Sequence, residues 1–311
     1  MTAQPPDDSA VLIDGPWTHR IVPANGIALH IAELGAGPLV LLLHGFPQFW
    51  WAWRRQLTAL ADAGFRAAAV DLRGYGASDK PPRGYDTGTL AADVTALISA
   101  LGERDAVLVG SDLGGALAFA AAHQAPGAVR RIVVLAAAHP LPMRRRMLTD
   151  LRGQARASAL ITTAFQLPRL PERRLRDPTT IRGLLAHGAG PAWRESEEFA
   201  EAAALYGLAM RIQPVSHLAL ENFRWQLRSL PRPDGWRFTR MVRRPSDVPV
   251  LQLHGELDPI VLPGTARGSG RYIRGDYEWR LLPGVGHYPH EEAPGAVSEQ
   301  IIRWAREDSR A

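Results

Sequence analysis

The chain has 311 residues, of which 46% are hydrophobic, and its formal net charge at pH 7 is +5. This length and composition are typical of a globular protein with one large domain or two modest ones. Because the chain contains no cysteine, disulfide bonds, thiolate metal sites and a cysteine nucleophile are excluded.

The first residues of the chain do not have the pattern of a targeting segment. Residues 1–8 are polar and acidic and contain prolines, without the basic start or the apolar stretch of a signal peptide. No apolar run approaches the roughly 18 residues that a membrane-spanning helix needs. We therefore expect a soluble, cytoplasmic protein without an integral membrane segment.

The first regular elements are two strands joined by a tight turn. Residues 18–24 and 27–34 alternate apolar and polar side chains on either side of Asn25-Gly26. Alternation across an Asn-Gly pair predicts a β-hairpin.

Four continuous apolar runs follow the hairpin, at residues 38–43, 66–70, 106–109 and 129–136. Strands without alternation are typical of a parallel sheet whose two faces are both covered by helices. Helical patterns separate these runs, at residues 51–63, 89–101 and 115–124. The repeated strand–helix order predicts an α/β doubly wound fold.

The strand–helix order stops near His139 and returns only at residue 248. Residues 140–245 have helical patterns broken by prolines, and they contain 19 arginines against 9 acidic residues. Strands are predicted again at 248–254 and 278–282, before an amphipathic helix at 296–306. An insertion between two parts of one sheet indicates a helical lid, residues 140–245, on a core formed by residues 1–139 and 246–311.

The excess of arginine in the predicted lid has two interpretations. A basic segment can attract anionic substrates, an acidic membrane surface or nucleic acid. A solvated helical face explains the same excess without any partner. The arginines match no nucleic-acid-binding motif, so we expect no nucleic-acid partner.

The third parallel strand ends in Gly-Ser-Asp-Leu-Gly-Gly, which has the form of a nucleophile elbow. Centring this sharp strand-to-helix turn on Asp112 puts Gly110 and Gly114 where small residues are needed. Centring it on Ser111 puts Val109 at such a position, so Asp112 is the better nucleophile. A carboxylate there forms an ester with an alkyl carbon, whereas a serine would attack a carbonyl.

Two further polar residues follow predicted strands, Asp258 and His287. Reactive side chains of open parallel sheets gather beyond the carboxyl ends of the strands. Asp112, Asp258 and His287 then follow one another along the chain in the order nucleophile, acid and base, which is the order of the α/β-hydrolase triad. We predict that Asp112 attacks, that His287 deprotonates the water that hydrolyses the ester, and that Asp258 orients the imidazole.

Each partner of the nucleophile has an alternative nearby. His290 is a second candidate for the base, but His287 directly follows Val-Gly at the end of the last strand. Glu256 is a second candidate for the acid, in the same loop as Asp258.

A second motif, His-Gly-Phe-Pro at residues 44–47, follows the first parallel strand. We predict that it aims the backbone N–H of Phe46, together with that of Leu113, at the carbonyl oxygen of the Asp112 ester. Each donor of such an oxyanion hole contributes about 3 kcal/mol to the transition state.

These motifs, together with Asp-Leu-Arg-Gly-Tyr-Gly at 71–76 and Gly-His at 286–287, resemble the epoxide-hydrolase branch of the α/β-hydrolase superfamily. The resemblance covers about residues 15–306 and is closest to actinobacterial members. It implies a mostly parallel eight-stranded sheet flanked by helices, an inserted helical lid, and neither cofactor nor metal. The implied partner is a small apolar or amphipathic organic substrate, and the oligomeric state stays open.

The chain departs from that family in its lid. Epoxide hydrolases use two lid tyrosines to protonate the epoxide oxygen. One stands a few residues before a Phe-Gln pair, but residues 161–164 contain no tyrosine, and the position of the other is occupied by Phe223. Tyr206 is the candidate substitute, as the only tyrosine of the predicted lid. Loss of a general acid lowers a rate by about 10²–10⁴-fold.

Two alternatives to epoxide hydrolysis follow from this departure. A haloalkane-type dehalogenase also uses an aspartate nucleophile, and its halide leaves without protonation. Leu113 stands where haloalkane dehalogenases carry tryptophan, and neither Leu113 nor Ala116 matches the arginines of fluoroacetate-type enzymes. The other alternative is a member of the fold that binds a lipid-like ligand without turning it over.

Overall fold

The computed structural model describes residues 5–307, and its centre is one eight-stranded sheet. In chain order the strands are β1 (Thr18–Ala24), β2 (Ile27–Leu34), β3 (Leu39–Leu43), β4 (Arg66–Val70), β5 (Ala106–Ser111), β6 (Val129–Leu135), β7 (Val250–Gly255) and β8 (Tyr277–Leu282). Their order across the sheet is β1-β2-β4-β3-β5-β6-β7-β8. The β1–β2 and β2–β4 pairs are antiparallel, and all other neighbours are parallel.

The α-helices of residues 5–307 lie before, within and after a long insertion between β6 and β7. They are α1 (Arg54–Asp62), α2 (Thr87–Ala100), α3 (Leu113–Gln124), α4 (Pro140–Thr149), α5 (Gln154–Ala157), α6 (Ala159–Thr162), α7 (Leu170–Leu175), α8 (Pro178–Gly188), α9 (Pro191–Arg194), α10 (Glu197–Ala209), α11 (Val215–Arg228), α12 (Pro233–Val242), α13 (Pro263–Arg267), α14 (Pro289–Glu292) and α15 (Pro294–Arg306). Short 3-10 helices are Asp8–Val11, Trp50–Trp53, Pro126–Ala128, Ala164–Gln166 and Gly268–Tyr272. Within residues 5–307, no helix is long and apolar enough to cross a membrane.

The sheet confirms the predicted α/β fold class. All five residues of β3 are fully buried, as expected for a continuous apolar strand covered on both faces. The hairpin prediction is also confirmed, because β1 and β2 pair around Asn25 and Gly26, which both have positive φ. This turn geometry matches the right-handed twist of the two strands.

Element boundaries differ from the predictions by a few residues. The third parallel strand, predicted at 106–109, runs on to Ser111 before the chain turns. The helix predicted at 51–63 begins as a 3-10 helix, and α1 itself starts at Arg54. The first segment is held by tertiary contacts: the backbone N–H of Trp50 donates to Oδ1 of Asp71 at 2.8 Å.

The topology brings three chain segments to one edge of the sheet. Strands β5, β7 and β8 belong to the parallel part of the sheet, so their carboxyl ends point the same way. The residues that follow these ends include Asp112, Asp258 and His287. Helices α4 to α12, which we call the helical insertion, lie between β6 and β7 in the chain.

Candidate active site

The turn after β5 places Asp112 in a strained backbone conformation. Its φ is 49° and its ψ is −112°. A residue other than glycine in such a region costs roughly 1–3 kcal/mol, and such residues concentrate at functional sites. Ser111 is instead the last residue of the strand, and its buried hydroxyl has no hydrogen-bond partner. The side chain presented by the turn is therefore the carboxylate of Asp112.

Two glycines allow this turn, because the strand and the helix approach each other too closely for a side chain. A Cβ at Gly110 would lie 2.2 Å from the carbonyl oxygen of Gly114. A Cβ at Gly114 would lie 2.1 Å from the carbonyl oxygen of Leu43. The small residues in the sequence motif thus have a steric cause.

The backbone donors predicted for an oxyanion hole reach the carboxylate of Asp112. The N–H of Phe46 donates to Oδ2 of Asp112 at 3.1 Å. The N–H of Leu113 also donates to this carboxylate. A backbone donor that holds a carboxylate oxygen, as the N–H of Phe46 holds Oδ2, is able to hold the carbonyl oxygen of an ester at the same place.

His287 lies between two carboxylates. Its Nδ1 is 2.9 Å from Oδ2 of Asp258, and its Nε2 is 3.8 Å from Oδ1 of Asp112. Oδ1 of Asp258 is fixed by the backbone N–H groups of Ile260 and Val261, at 2.8 and 3.0 Å. The acid therefore orients the imidazole from one side and leaves its other nitrogen facing Asp112.

The alternative base and acid lie in other surroundings. His290 stacks on the ring of Trp53 with centroids 4.5 Å apart, and burial lowers its pKa to about 3. Glu256 is exposed and accepts a hydrogen bond from the N–H of Gly284 at 3.2 Å. The structure thus brings His287 and Asp258, rather than His290 and Glu256, into contact with each other.

Burial and the charges of the neighbouring residues set the pKa values of Asp112, His287 and Asp258. Burial raises the pKa of Asp112, although His287 and the two backbone donors act against that rise. Burial disfavours the charged imidazole of His287, but Asp258 and then Asp112 outweigh it and raise its pKa to about 9. The pKa of Asp258 falls below its usual range despite burial, because His287 and His254 stabilise its charge. At neutral pH the imidazole of His287, which lies between Asp112 and Asp258, is therefore protonated.

Aromatic rings of the helical insertion cover the side of the site next to Phe46. The ring of Phe46 is 5.6 Å from that of Phe165 and 5.3 Å from that of Phe223, between centroids. Phe165 and Phe223 are also in contact with each other. This side of the site is apolar and presents no hydroxyl from position 223.

Tyr206, the sequence candidate for a proton donor, has its hydroxyl engaged elsewhere. This fully buried hydroxyl donates to Oε1 of Glu291 and lies 3.4 Å from Nε2 of Gln48. Glu291 in turn is paired with Arg54 at 2.9 Å. The contacts of Tyr206 thus belong to a buried ion-pair cluster, and its role as a donor stays a prediction.

Two other tyrosines near the nucleophile were missed by the sequence reasoning. Tyr75 and Tyr288 are both buried, and burial together with the charge of Asp112 raises the pKa of each phenol. The hydroxyl of Tyr75 is 3.5 Å from the carbonyl oxygen of Ala219. Tyr288 directly follows His287, and that adjacency was the signal available in the sequence.

The hydroxyl of Tyr288 is the less constrained of the two. Its ring contacts the ring of His287, with centroids 5.2 Å apart. No residue between 5 and 307 forms a hydrogen bond with this hydroxyl. Among those residues there is also no group of three or more side chains that could hold a metal ion.

Comparisons with known proteins agree on the family to which the chain is similar. Residues 38–294 match the family model described as the alpha/beta hydrolase fold. The AB hydrolase superfamily protein YfhM of Bacillus subtilis (strain 168) is 30% identical over 295 residues, which are 92% of this chain and 97% of that protein. Epoxide hydrolase 3 of Xenopus tropicalis is 32% identical over 294 residues, covering 91% of this chain and 76% of the relative.

A solved structure shows the same similarity in three dimensions. The crystal structure of epoxide hydrolase A from Mycobacterium thermoresistibile superimposes with a TM-score of 0.77 at 28% sequence identity, covering 93% of this chain and 98% of that one. The chain therefore belongs to the α/β-hydrolase fold family, is epoxide-hydrolase-like within it, and is an enzyme of the α/β-hydrolase type.

Proposed function

We propose that the protein hydrolyses an epoxide to a diol through an alkyl ester on Asp112. One observation carries the proposal: a carboxylate at a strained elbow lies next to Phe46 N–H on one side and His287 Nε2 on the other. Similarity to epoxide hydrolases supports the same reaction class.

The first step is attack by Asp112. Because Oδ2 is held by the N–H of Phe46, Oδ1 is the oxygen available to attack a ring carbon. The new bond joins Oδ1 to that carbon, and the carbon–oxygen bond of the epoxide breaks with its electron pair on oxygen. The resulting alkoxide then takes a proton and becomes the first hydroxyl of the product.

The second step is hydrolysis of the ester. Neutral His287 takes a proton from water, and the hydroxide attacks the carbonyl carbon while charge develops on Oδ2 beside Phe46 and Leu113. The acyl carbon–Oδ1 bond then breaks, and the imidazolium of His287 returns its proton to Oδ1 as the diol leaves. The new carboxylic acid of Asp112, which holds one oxygen from water, gives its proton back to the group that protonated the alkoxide, and the carboxylate is restored. Ester formation removes the charge of Asp112, which otherwise raises the pKa of His287. The imidazolium then releases its proton to solvent more readily, and the neutral imidazole acts as the base.

We assign the proton for the alkoxide to Tyr288. Its phenol is buried beside His287 and has a raised pKa, so it stays protonated at neutral pH. An alkoxide is a far stronger base than a phenolate, so the transfer is favourable even from this weakened acid. The ring of Tyr288 belongs to the loop after β8 rather than to the helical insertion.

The helical insertion, within the predicted residues 140–245, acts in this proposal as the lid. Phe165 and Phe223 pack on Phe46, next to the nucleophile. At the end of α8, the carbonyl oxygen of Gly188 accepts the backbone N–H of His287 at 2.8 Å. Such contacts let the insertion exclude water and shape the space for a small apolar or amphipathic substrate.

Cleavage of a carbon–halogen bond is the second candidate reaction. The aromatic surroundings formed by Phe46, Phe165 and Phe223 favour it, because they offer no proton donor and a halide needs none. The same Asp112 ester and the same hydrolysis by His287 would follow.

The experiment that tests the proposal is the intact mass of a His287→Ala variant incubated with a panel of epoxides and alkyl halides. Without the base, Asp112 still attacks but hydrolysis stalls, so the ester accumulates. A mass increase equal to a whole epoxide supports epoxide hydrolysis, and an increase equal to an alkyl group without halogen supports dehalogenation. The adduct must be absent in an Asp112→Asn, His287→Ala double variant. No adduct across the panel would contradict the covalent mechanism and favour ligand binding without turnover.

A further inference from the structure

An open cleft lies where the helical insertion returns to the core. Its volume is about 380 Å³, within the range of roughly 300–1,000 Å³ that small-molecule sites have. One wall is the end of α3, with His123. The other wall is α12 and the link to β7, with Arg237, Arg240 and Arg244. No residue of the candidate active site lines the cleft, so it is a separate place on the molecule.

The three arginines of the cleft carry unmatched charge. They are three and four residues apart, and Arg243, which follows α12, keeps helical backbone angles (φ −78°, ψ −25°). Side chains at these spacings are neighbours on a helix surface, and like charges there repel each other. All three arginines are exposed, and none forms a hydrogen bond or an ion pair with another residue between 5 and 307. An anion between them would relieve this repulsion.

The negative groups at the cleft do not neutralise the arginines. Asp247 is the only acidic residue among the described residues that form the walls, and both of its carboxylate oxygens accept hydrogen bonds from Arg274. Helices α3 and α12 end at the cleft, and the carbonyl end of a helix is equivalent to about half a negative charge. The three guanidinium groups therefore exceed the two helix ends by about two positive charges. Such an excess matches a dianion.

His123 adds an uncharged N–H donor to the same cleft. Nδ1 of His139 accepts the backbone N–H of Leu141 at 3.3 Å, so the proton of neutral His139 is on Nε2. This Nε2 lies 2.9 Å from Nε2 of His123 and donates to it, which puts the proton of neutral His123 on Nδ1. That Nδ1–H has no hydrogen-bond partner among residues 5–307. Burial lowers the pKa of His123 to about 4 and also lowers that of His139, so both rings are neutral at pH 7.

We propose that this cleft binds the phosphate group of a small phosphorylated molecule, between the guanidinium groups of α12 and the Nδ1–H of His123. Guanidinium groups bind phosphate through paired, charge-assisted hydrogen bonds, and a phosphate monoester carries nearly the two negative charges that the walls call for. The volume leaves room for an organic group beside the phosphate. Because the cleft is separate from Asp112, the inference does not depend on the proposed reaction.

The test is isothermal titration calorimetry at pH 8 and constant ionic strength with phenyl phosphate, phenyl sulfate and inorganic phosphate. At this pH the phosphate monoester is a dianion, because its second pKa is about 6, whereas the sulfate monoester is a monoanion. We expect the wild-type protein to bind phenyl phosphate at least about tenfold more tightly than phenyl sulfate, as hydrogen bonds to charged groups imply. It should also bind phenyl phosphate more tightly than inorganic phosphate, because the organic group adds contacts.

The variants distinguish a built site from general attraction by a basic surface. Arg240→Gln should weaken binding of phenyl phosphate at least about tenfold. Arg243→Gln is the matched control, because Arg243 is exposed, follows the same helix, does not line the cleft, and its loss changes the net charge equally. Its affinity should match that of the wild type. The ¹⁵N resonance of Nδ1 of His123 should shift on addition of phenyl phosphate in the wild-type protein and in Arg243→Gln.

Four outcomes would overturn the inference. They are absence of binding, equal affinity for the phosphate and sulfate monoesters, equal weakening in Arg240→Gln and Arg243→Gln, and a His123 resonance that does not shift when the ligand binds. Equal affinity for inorganic phosphate and phenyl phosphate would overturn the organic part of the ligand and identify free phosphate as its source. His287→Ala should bind phenyl phosphate as the wild type does. A loss of binding in that variant would place the ligand in the candidate active site instead of the cleft.

Discussion

Nε2 of His287 lies 3.8 Å from Oδ1 of Asp112, beyond hydrogen-bond distance, although the imidazole is tightly held by Asp258 at its other nitrogen. The protonation of His287 is therefore coupled electrostatically to the charge of Asp112, although no hydrogen bond joins the two groups. The charge of Asp112 raises the pKa of His287, and Nε2 faces the side where water must be activated without a hydrogen bond to Asp112.

Neutralising Asp112 should therefore lower the pKa of His287. In Asp112→Asn one of the two carboxylates that stabilise the imidazolium is lost, as it is in the ester. The NMR titration of the His287 imidazole should move to lower pH than in the wild-type protein, where the pKa is about 9. Ser111→Ala is the control, and its titration should match the wild type. An unchanged titration in Asp112→Asn would contradict the coupling.

The same imidazole should make stability depend on pH. The pKa of His287 is about 9 in the folded protein, against about 6.5 when the chain is unfolded. Because the folded state binds the proton more tightly, this contribution is complete below about pH 6.5 and is lost as the pH rises to about 9. The Tm advantage of the wild-type protein over His287→Gln should shrink across that interval in thermal unfolding. A Tm difference that stays constant with pH would show that protonation of His287 does not stabilise the fold.

Replacing Asp112, but not Ser111, should abolish turnover. Asparagine lacks the charged oxygen that attacks, so Asp112→Asn should lower kcat by more than about 10³-fold. Ser111→Ala removes only a buried hydroxyl without a partner and should change kcat by no more than about threefold. Loss of activity in Ser111→Ala as well would contradict the assignment of Asp112 as the central residue of the elbow.

Substitution of Tyr288 should affect catalysis, whereas substitution of Tyr206 should affect stability. Tyr288→Phe should lower kcat on an epoxide by about 10²–10⁴-fold, yet leave the rate with an alkyl halide nearly unchanged. Tyr206→Phe should instead lower the free energy of unfolding by about 1–3 kcal/mol, because buried Glu291 loses a donor. Steady-state kinetics and denaturant unfolding of both variants check this assignment. Reversed effects would return the donor role to Tyr206.

The close approach at the elbow should make Gly114 indispensable to folding. Alanine there would meet the carbonyl oxygen of Leu43 at 2.1 Å, so Gly114→Ala should destabilise the protein by at least about 1–3 kcal/mol. Gly183, an exposed residue within α8, has open space around its Cα, so Gly183→Ala should be stabilising by about 0.5–1 kcal/mol. Urea unfolding of both variants gives the comparison. Equal stabilities would contradict the steric argument.

The candidate site residues could be predicted from the sequence because local hydrophobic patterns indicate where strands end. Asp112, Asp258 and His287 were selected because each follows a predicted strand of a parallel sheet, and the fold brings the three side chains together. Their catalytic roles stay predictions until the variants are measured. The boundaries were less predictable, since the length of β5 and the start of α1 depend on neighbours that are distant in the chain.

The sequence by itself determined the fold class, the position of the elbow and the residue at its centre, because hydrophobic periodicity and glycine spacing act within a few residues. Only the tertiary structure decided that His287 rather than His290 faces Asp112 and that the hydroxyl of Tyr206 is engaged by Glu291. Those outcomes depend on distances of a few ångströms between side chains far apart in the chain. Packing and burial set such distances, and no local pattern encodes them.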